Sequence, residues 1–290
     1  MTGILLVDKE QDWTSSDVVA KLRGILGERR VGHAGTLDPL ATGLLVIMIG
    51  RATKASDYLM KHDKRYIACL RLGIETDTQD VSGNVIRQSL SNIPIKDVQE
   101  AAATFTGKIQ QIPPMFSAIK RNGQKLYEIA RRGETVEREA RAITVSSISV
   151  VGMEDGDFIL DVSCSSGTYI RTLCHDIGKL LGCGGCMSKL RRVTSGEFTV
   201  EQAHTIGELA RVDRETIREW ILPIENAFLK FEAITASEEE RVKLFCGSAV
   251  LTYLEDGMYR VYSTDGNFLM LGRVQNRLIR KEKGFFEGDR

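Results

Sequence analysis

The amino-acid sequence predicts an α+β fold, in which helices flank a mixed, mostly antiparallel sheet and a small β-rich domain follows. Strand-like and helix-like segments are intermingled without the strict alternation that a parallel α/β sheet requires. After about residue 230, short β-rich runs separated by turn signals replace this mixture. A chain of 290 residues is long enough for one large and one small domain. We therefore predict a larger domain over residues 1–230 and a barrel-like domain over residues 231–290.

The first elements are predicted as a strand, a helix and a loop. Residues 3–7 (Gly-Ile-Leu-Leu-Val) form an apolar run typical of a buried strand. Residues 14–17 offer a helix N-cap, and apolar residues at helical spacing follow until Gly27, where we expect the helix to end. Residues 32–43 are rich in Gly, Thr, Asp and Pro, which predicts a loop, and the apolar run 44–49 predicts a strand after it.

Five further elements follow from periodicity. Residues 66–72 and 158–164 alternate between apolar and polar side chains, as half-buried strands do. Helical spacing and stop signals predict helices over residues 95–106 and 126–132. A helix is also expected after Gly167, with one apolar stripe formed by Ile170, Leu173, Ile177 and Leu180.

The last part of the chain predicts a small sheet. Residues 250–254, 259–262 and 268–271 are short β-rich runs. Turn signals at residues 255–257 (Glu-Asp-Gly) and 265–266 (Asp-Gly) predict hairpins between them.

The formal net charge is zero, so contact with nucleic acid would depend on local basic clusters rather than on the average charge. Two such clusters are present, the first within a basic segment of about residues 107–140. Either cluster alone is more often a solvated surface than a binding site. Their members are Lys120, Arg121, Lys125, Arg131 and Arg132 in the first, and Arg273, Arg277, Arg280, Lys281 and Lys283 in the second.

Neither the N-terminus nor the cysteines suggest an exported or metal-binding protein. The first apolar run meets Asp8 at once, unlike a signal peptide, and no stretch approaches the roughly 18 apolar residues of a membrane span. We therefore expect a cytoplasmic protein. Cys183 and Cys186 have only His175 nearby as a further ligand, so a metal site or a redox disulfide is not expected.

Residues 32–43, Gly-His-Ala-Gly-Thr-Leu-Asp-Pro-Leu-Ala-Thr-Gly, form the segment most informative about chemistry. Pro39 disfavours helical geometry at Asp38, and glycines permit close backbone approach. A carboxylate on a stiff loop beside a His and a Thr suits a nucleophile or a base. The alternative is that Asp38 and Pro39 merely begin a turn, as most Asp-Pro pairs do.

This segment resembles the active-site motif of the TruB family of tRNA pseudouridine synthases, which modify uridine 55 in the TΨC arm. Further segments over residues 3–196 resemble other motifs of the family in the same order. These are Lys64-Arg65-Tyr66 with Arg71-Leu72-Gly73 and Thr76-Asp77-Thr78-Gln79-Asp80, then Gln111-Ile112-Pro113-Pro114 to Gly123 with Lys125-Leu126-Tyr127, and finally Gly167-Thr168-Tyr169-Ile170-Arg171-Thr172-Leu173 with Leu190-Arg191-Arg192.

One segment departs from the family pattern. The family usually has Lys-Pro-x-Gly where this sequence has Lys9-Glu10-Gln11-Asp12, which leaves the geometry of the turn after Lys9 open. The last domain is similar to the PUA-like domain of the family.

The resemblance implies a pseudouridine-synthase catalytic domain over residues 1–230 and a PUA-like RNA-binding domain over residues 231–290. It implies that the enzyme flips uridine 55 of the tRNA TΨC loop, then cleaves and re-forms the glycosidic bond with an aspartate, and that it assists tRNA folding. Isomerisation adds and removes no atom, so no cofactor and no metal are expected. The implied partner is the TΨC arm of tRNA, with no membrane, guide RNA or protein complex, and the expected state is a monomer.

The resemblance also implies residue roles. Asp38 is the catalytic carboxylate, whether it attacks the ribose, attacks the base or removes a ribose proton, and Arg171 favours its charged form. Tyr66 is expected to stack on the flipped uracil and to act as the final base, while His33 fills the vacated space. The other expected substrate contacts are Thr36, Tyr169, Leu190 (through its backbone), Asp80, and the phosphate ligands Lys9, Lys54 and Arg191.

Two other functions fit parts of the pattern. Phosphatases and dehalogenases also use a loop aspartate, but they usually have a second aspartate two residues later, where this sequence has Leu40. A non-catalytic RNA-binding or chaperone module would use the basic clusters and the C-terminal domain alone.

Overall fold

A computed structural model describes residues 1–121 and 123–285, and within those residues it contains nineteen strands and eight α-helices. The strands are β1 (Gly3–Lys9), β2 (Val31–Ala34), β3 (Thr42–Ile49), β4 (Lys64–Leu72), β5 (Ile74–Thr76), β6 (Val85–Gln88), β7 (Gly107–Gln111), β8 (Lys120–Arg121), β9 (Gln124–Lys125), β10 (Arg141–Glu154), β11 (Asp157–Cys164), β12 (Gly185–Ser195), β13 (Phe198–Thr199), β14 (His204–Thr205), β15 (Glu232–Thr235), β16 (Val250–Leu251), β17 (Gly257–Tyr262), β18 (Phe268–Gln275) and β19 (Leu278–Gly284).

The α-helices are α1 (Ser15–Leu26), α2 (Ser56–Leu59), α3 (Ile95–Ala103), α4 (Leu126–Arg131), α5 (Ile170–Leu180), α6 (Ile206–Leu209), α7 (Arg214–Glu219) and α8 (Glu238–Phe245). Short 3₁₀ helices cover Gly50–Ala55, Val200–Gln202 and Ile224–Phe228. Residues 286–290 of the predicted C-terminal domain and Asn122 of the basic segment lie outside the described residues. In the described part of the chain, no helix is long and apolar enough to cross a membrane.

The larger sheet has ten strands, eight of them in the order β14-β1-β3-β12-β4-β11-β10-β7, while β2 pairs with β3 and β13 with β12. The β1–β14 and β3–β12 pairs are parallel and the other pairs are antiparallel. The predicted mixed, mostly antiparallel sheet is confirmed. Its centre brings β12 beside both β3 and β4, so segments distant in sequence meet there.

Both faces of the central strands are buried. Alternate residues of a strand point to opposite faces, so Leu5 and Val7 of β1 enter one core while Ile4 and Leu6 enter another. The second core also contains Phe228, together with Leu271 and Phe285 from the C-terminal part of the chain. The C-terminal sheet, in the order β15-β17-β18-β19-β16, therefore packs on this face, and the predicted β-rich C-terminal part is confirmed.

Helix α1 begins where the sequence predicts. The Thr14 side chain accepts a hydrogen bond from the Asp17 backbone N–H and the Asp17 carboxylate accepts one from the Thr14 N–H, while Gly27 ends the helix at a φ of 64°. Just before it, the departure from the family pattern still forms a tight turn. Asp12 adopts a left-handed φ of 67°, and its N–H donates to the Pro39 carbonyl over 2.9 Å. Aspartate tolerates this conformation better than most residues.

Two predicted boundaries and one predicted buried residue in the larger sheet region are wrong. Residues 32–34 belong to β2, because they pair with β3 rather than forming a loop. The helix predicted over residues 95–106 ends at Ala103, and Gly107 begins β7 instead of ending the helix. Leu180 is 57% exposed, so it lies outside the buried stripe of α5.

The predicted hairpin at residues 255–257 is also wrong, because β16 pairs with β19 and not with β17. The hairpin at residues 265–266 is confirmed by the β17–β18 pairing. A hairpin not predicted joins β18 to β19 through Asn276 and Arg277, whose φ angles are 54° and 59°. Strands β10, β12, β15 and β19 were not predicted either.

Candidate active site

The loop of residues 35–41 joins β2 to β3 and carries Asp38. Its centre is fixed from α1 by Ser15, a buried residue whose hydroxyl accepts from the Leu37 N–H over 2.9 Å and donates to the Leu37 carbonyl over 3.1 Å. Because both backbone groups of the neighbouring residue are engaged, the backbone at Asp38 has little freedom.

Two buried cations hold the two sides of this loop. Lys9 is 0% exposed, and its ammonium donates to the Pro39 carbonyl over 3.3 Å. Arg192 is 1% exposed, and its guanidinium donates to the Gly35 carbonyl over 3.1 Å and to the Leu44 carbonyl over 2.7 Å. Buried carbonyl groups need such donors, so the charged side chains act as part of the loop's framework.

Gly43 explains how β12 can approach the end of the loop. Its φ is 96°, and a Cβ atom there would lie 2.3 Å from the Arg192 carbonyl oxygen. A side chain at this position would both strain the backbone and push β12 away.

Asp38 forms an ion pair with Arg171 at the start of α5. The Arg171 Nε lies 3.1 Å from the Asp38 Oδ2, and the two side chains are 7% and 40% exposed respectively. Arg171 is held in turn by the carbonyls of Thr78 (3.0 Å) and Phe116 (2.9 Å). A fixed guanidinium therefore directs a carboxylate that stays accessible on its other side.

The surroundings of Asp38 have opposing effects on its charge. Burial raises the pKa of the Asp38 carboxyl above its usual value, and Asp80 acts in the same direction. Arg171 and Lys9 oppose the shift by attracting the ionised form. The net shift is upward, so the two cations limit the effect of burial without reversing it.

Asp80 lies on the far side of Arg171 and is 4% exposed. Its Oδ2 is 3.4 Å from the Arg171 Nη1, and its Oδ1 accepts from the Ser82 N–H (3.0 Å) and the Thr78 hydroxyl (2.9 Å). The predicted substrate contact of Asp80 therefore needs correction: its carboxylate is buried and engaged within the protein, where it orients Arg171.

Tyr66 and His33 are neutral groups near Arg192. Tyr66 is 8% exposed and lies directly opposite Arg192 in the β4–β12 pairing. Burial raises the pKa of the Tyr66 phenol, and the Arg192 guanidinium opposes that shift. Burial lowers the pKa of His33, with Arg192 acting in the same direction, and the His33 Nδ1 is buried with no hydrogen-bond partner among the described residues.

The remaining predicted pocket residues lie on three elements. Tyr169 immediately precedes α5, where its N–H donates to Gln111 Oε1 over 2.9 Å and its carbonyl accepts from Gln111 Nε2 over 3.0 Å. Burial raises the pKa of the Tyr169 phenol. The Leu190 carbonyl on β12 accepts a 3.4 Å hydrogen bond from the Thr42 hydroxyl, and Thr36 is exposed on the loop.

The phosphate contact predicted for Lys9 does not fit this structure. Its ammonium is enclosed by the carbonyls of Trp13 (2.7 Å), Glu10 (2.9 Å) and Pro39, and burial lowers its pKa to about 8. A fully buried ammonium with three internal acceptors cannot reach a phosphate outside the protein.

The other two predicted phosphate ligands remain at the surface. Arg191 is 42% exposed and makes two hydrogen bonds to the Asp8 carboxylate, of 2.7 and 3.0 Å. Lys54 is exposed in the 3₁₀ helix after β3, and its ammonium donates to the Gly284 carbonyl over 3.3 Å. Lys54 therefore lies where the larger sheet region contacts the C-terminal sheet.

Two buried cations at the site, Arg192 and Lys64, were not singled out from the sequence. Lys64 is 7% exposed, and its ammonium donates to the Met60 carbonyl over 2.7 Å. A signal for Arg192 was present, because residues two apart in a strand share a face and Leu190 was expected at the pocket. Lys64 opens the Lys64-Arg65-Tyr66 motif, but the polar residues before it give no sign that its side chain is buried.

In the ranges 1–121 and 123–285, no three His, Cys, Asp or Glu side chains come together as a metal-binding group. Cys183 and Cys186 are buried free thiols. Burial raises the pKa of Cys186 to about 11, which favours the protonated thiol over a thiolate ligand.

Family models match most of the chain. Residues 23–170 match the model described as TruB family pseudouridylate synthase (N terminal domain), and residues 171–229 match the model described as tRNA pseudouridylate synthase B C-terminal domain. The second match ends before β15, so the PUA-like identity of the C-terminal sheet stays a prediction.

Curated relatives are similar over nearly their whole length. The tRNA pseudouridine synthase B of Clostridium perfringens (strain 13) is 43% identical over 294 residues, covering 98% of this chain and 97% of the relative. That of Pseudomonas syringae pv. syringae is 39% identical over 295 residues, covering 97% of each.

Among solved structures, a chain of a Cbf5-Nop10-Gar1 complex is similar, with a TM-score of 0.76 and 26% identity over 98% of this chain and 85% of that one. A chain of an H/ACA RNP bound to a substrate RNA containing 2′-deoxyuridine has a TM-score of 0.76 at 24% identity, covering 99% of this chain and 86% of that one. At 24% identity, the second similarity shows a shared fold and nothing more.

Proposed function

The chain belongs to the TruB family of pseudouridylate synthases, and on that basis we propose that it converts a uridine of tRNA to pseudouridine with Asp38 as the catalytic carboxylate. The tRNA substrate is supported by the names of relatives that align over nearly the full length of both chains. By the motif resemblance, the target is uridine 55 in the TΨC loop.

One observation carries the role of Asp38. Its carboxylate is 40% exposed while the arginine that directs it is 7% exposed and tied to two backbone carbonyls. A reactive group must be accessible, and the groups that orient it must be rigid. Arg171 also pairs with Asp80, but the Asp80 side chain is only 6% exposed and is not accessible in this way.

The reaction breaks the bond between N1 of uracil and C1′ of ribose, turns the base and forms a bond from C5 to C1′. Asp38 must be ionised whether it attacks the ribose, attacks the base or removes a ribose proton. Arg171 and Lys9 favour that form against the effect of burial, and Asp80 holds Arg171 in place. At the end C5 loses its proton and N1 takes one up, so no atom is gained or lost overall.

The target base has to leave the stacked RNA before it can reach Asp38, at a cost of a few kcal/mol. We propose that the neutral His33 ring fills the vacated space and that Tyr66 stacks on the flipped uracil. Burial raises the pKa of the Tyr66 phenol and Arg192 opposes that shift, so Arg192 would assist Tyr66 in accepting the C5 proton. Tyr169, Thr36 and the Leu190 backbone would complete the pocket.

Affinity for tRNA would come mostly from phosphate contacts. Exposed cations suited to this are Arg191, Lys54 and the basic cluster on β8, β9 and α4. We propose that the enzyme recognises the folded TΨC arm as a monomer and without a guide RNA. A contribution to tRNA folding would use the same surface.

Tritium release from a tRNA transcript labelled at C5 of uridine tests this function. We expect release by the wild type and none by Asp38→Asn. Asp155→Asn is the matched control, because Asp155 is 79% exposed and its φ of 51° suits asparagine. A transcript with cytidine at tRNA position 55 should release tritium only at background level. Release that persists in Asp38→Asn would overturn the role of Asp38, and unchanged release from the cytidine transcript would overturn the position.

A further inference from the structure

Three buried cations near the Asp38 loop form no direct ion pair with a carboxylate within the described ranges. Lys9, Lys64 and Arg192 are 0%, 7% and 1% exposed, and their hydrogen bonds go to backbone carbonyls. Arg171 differs, because it faces the carboxylates of Asp38 and Asp80. Burying a cation without a counter-ion costs free energy. Positive charge retained at such a cost points to an anion that arrives with the substrate.

Two of these cations lie on one side of the Asp38 loop, beside Tyr66. Arg192 lies opposite Tyr66 across β4 and β12. A Cβ atom on Gly35 would lie 3.4 Å from the Arg192 Nη1 and 3.9 Å from the Lys64 Cε, so both side chains lie close to Gly35. Lys9 binds the Pro39 carbonyl on the other side of Asp38. We call Lys9, Lys64 and Arg192 the pocket-floor cations.

An RNA phosphate is a poor candidate for the missing anion. The pocket-floor cations are almost inaccessible, whereas Arg191, which follows Leu190 on the same strand, is 42% exposed and could serve a phosphate. A planar base inserted beside Tyr66 can come close to Arg192 without exposing it.

The proposed reaction itself generates an anion on that base. When the N1–C1′ bond breaks, its electron pair stays on N1 of uracil. In the two routes through the ribose, the Asp38 carboxylate either bonds to C1′ as an ester or takes a proton from the ribose as C1′ becomes part of a double bond. In both, the negative charge leaves Asp38 and appears on the detached uracil. The total charge of the pocket does not change, but its position does.

We propose that Arg192, supported by the charges of Lys64 and Lys9, stabilises the negative charge of the detached uracil. This inference rests on the proposed function. Arg171 and Asp80 direct the charge while it is on Asp38, and the pocket-floor cations receive it when it moves to the base. Preorganised charge in a site with little water is effective in this role because the protein does not have to reorganise during the step.

The test varies the stability of the leaving anion. Fluorine at C5 withdraws electron density and stabilises the uracil anion, so tRNA with 5-fluorouridine at the target depends less on the pocket-floor cations. The rate constant for loss of the N-glycoside is measured in a single turnover with saturating enzyme, by chromatography of the digested nucleosides. Variants are Arg192→Met, Arg192→Lys and, as a control on the same strand, Lys189→Met, whose side chain is 55% exposed.

We expect Arg192→Met to lower the rate constant for loss of the N-glycoside by about 100-fold with the uridine substrate, and by a clearly smaller factor with the 5-fluorouridine substrate. Arg192→Lys should recover most of the rate because it keeps the charge. The Kd of the Arg192 variants for tRNA should stay within about threefold of the wild-type value. The single-turnover rate constant of Lys189→Met should also stay within about threefold of the wild-type value. Equal slowing of both substrates, or no recovery in Arg192→Lys, overturns the proposal.

Arg192 also supports the loop, so its removal could prevent folding. In that case the rate constants of Lys64→Met are measured on the same two substrates. We expect the uridine substrate again to be slowed more than the 5-fluorouridine substrate, by a smaller factor. Equal slowing of the two substrates by Lys64→Met would count against the proposal. Failure of the proposed function would give a different result. In that case the wild-type enzyme would convert neither substrate, whatever the variants do.

Discussion

The pocket around Asp38 and the C-terminal sheet both contain many charged side chains, but they use them differently. In the pocket, Arg171 and Asp80 are 7% and 6% exposed in their ion pair. On the C-terminal sheet, Arg273 and Glu282 are 51% and 31% exposed in theirs. Exposed pairs contribute about 0–1 kcal/mol, whereas removing one partner of a buried pair costs about 3–5 kcal/mol.

The difference also appears in the sequence. The cations of the C-terminal sheet form a visible cluster on β18, on β19 and in the turn between them. Arg273 pairs with Glu282 on the neighbouring strand, and Lys283 lies 3.8 Å from Asp57 of α2. The charged groups around Asp38 are scattered from Lys9 to Arg192, and each comes from a different segment of the chain. A charge cluster in a sequence is therefore a poor guide to where charge controls chemistry in this protein.

The largest effect that distinguishes the two regions is expected from Arg171→Met. It leaves Asp80 buried and unpaired and Asp38 without direction, so we expect a loss of about 3–5 kcal/mol in the free energy of unfolding and no detectable tritium release. Urea unfolding followed by circular dichroism measures the first. Arg171→Lys is the control, because it keeps the charge but loses the fork of donors. A stable, active Arg171→Met would remove the distinction between buried and exposed pairs.

A medium effect is expected in the pH dependence of stability at Lys64. Burial lowers the Lys64 pKa from 10.5 to about 8, with Arg192 acting in the same direction and Cys164 and Asp63 opposing it. Between about pH 8 and 10.5 the unfolded chain binds more protons at this residue, so stability from Lys64 rises with pH. The wild type should therefore gain up to about 3 kcal/mol relative to Lys64→Met across this window.

Denaturation of both proteins at matched pH values measures that gain. The comparison of the two proteins cancels the titration of other groups. If the difference in free energy of unfolding between the wild type and Lys64→Met is constant between pH 7 and 10, burial does not lower the pKa of Lys64. Lys64 would then titrate like the surface lysines.

The smallest effect is expected from Arg273→Gln. Both members of the Arg273–Glu282 pair are well exposed, so we expect a change within about 0.5 kcal/mol in the free energy of unfolding and no change in tritium release from C5-labelled tRNA at saturating concentration. Thermal unfolding at low and at high salt measures it. A loss above about 2 kcal/mol would place this surface pair in the same class as the pocket.

Local patterns in the sequence determined the first elements of the fold and the position of the Asp38 loop. The apolar run in β1, the Thr14–Asp17 capping box and the Gly27 stop act over a few residues, so their outcome is readable from sequence. The motif resemblance pointed to Arg171 near Asp38. Pairing of strands was less readable, since β16 joins β19 rather than the nearer β17, and which strand edges meet depends on the whole domain.

Burial decided what the sequence could not. Lys9, Lys64 and Arg192 look like surface cations in the chain, but tertiary packing encloses them and turns them toward backbone carbonyls of the Asp38 loop and its neighbours. The inward orientation of Asp80 depends in the same way on Arg171, which comes from a distant helix. The sequence by itself determined which local structures form, because those depend on neighbours in the chain, and its motifs predict which residues carry the chemistry. Only the tertiary structure decided which charges are buried together, because desolvation and ion pairing depend on segments that meet only after folding.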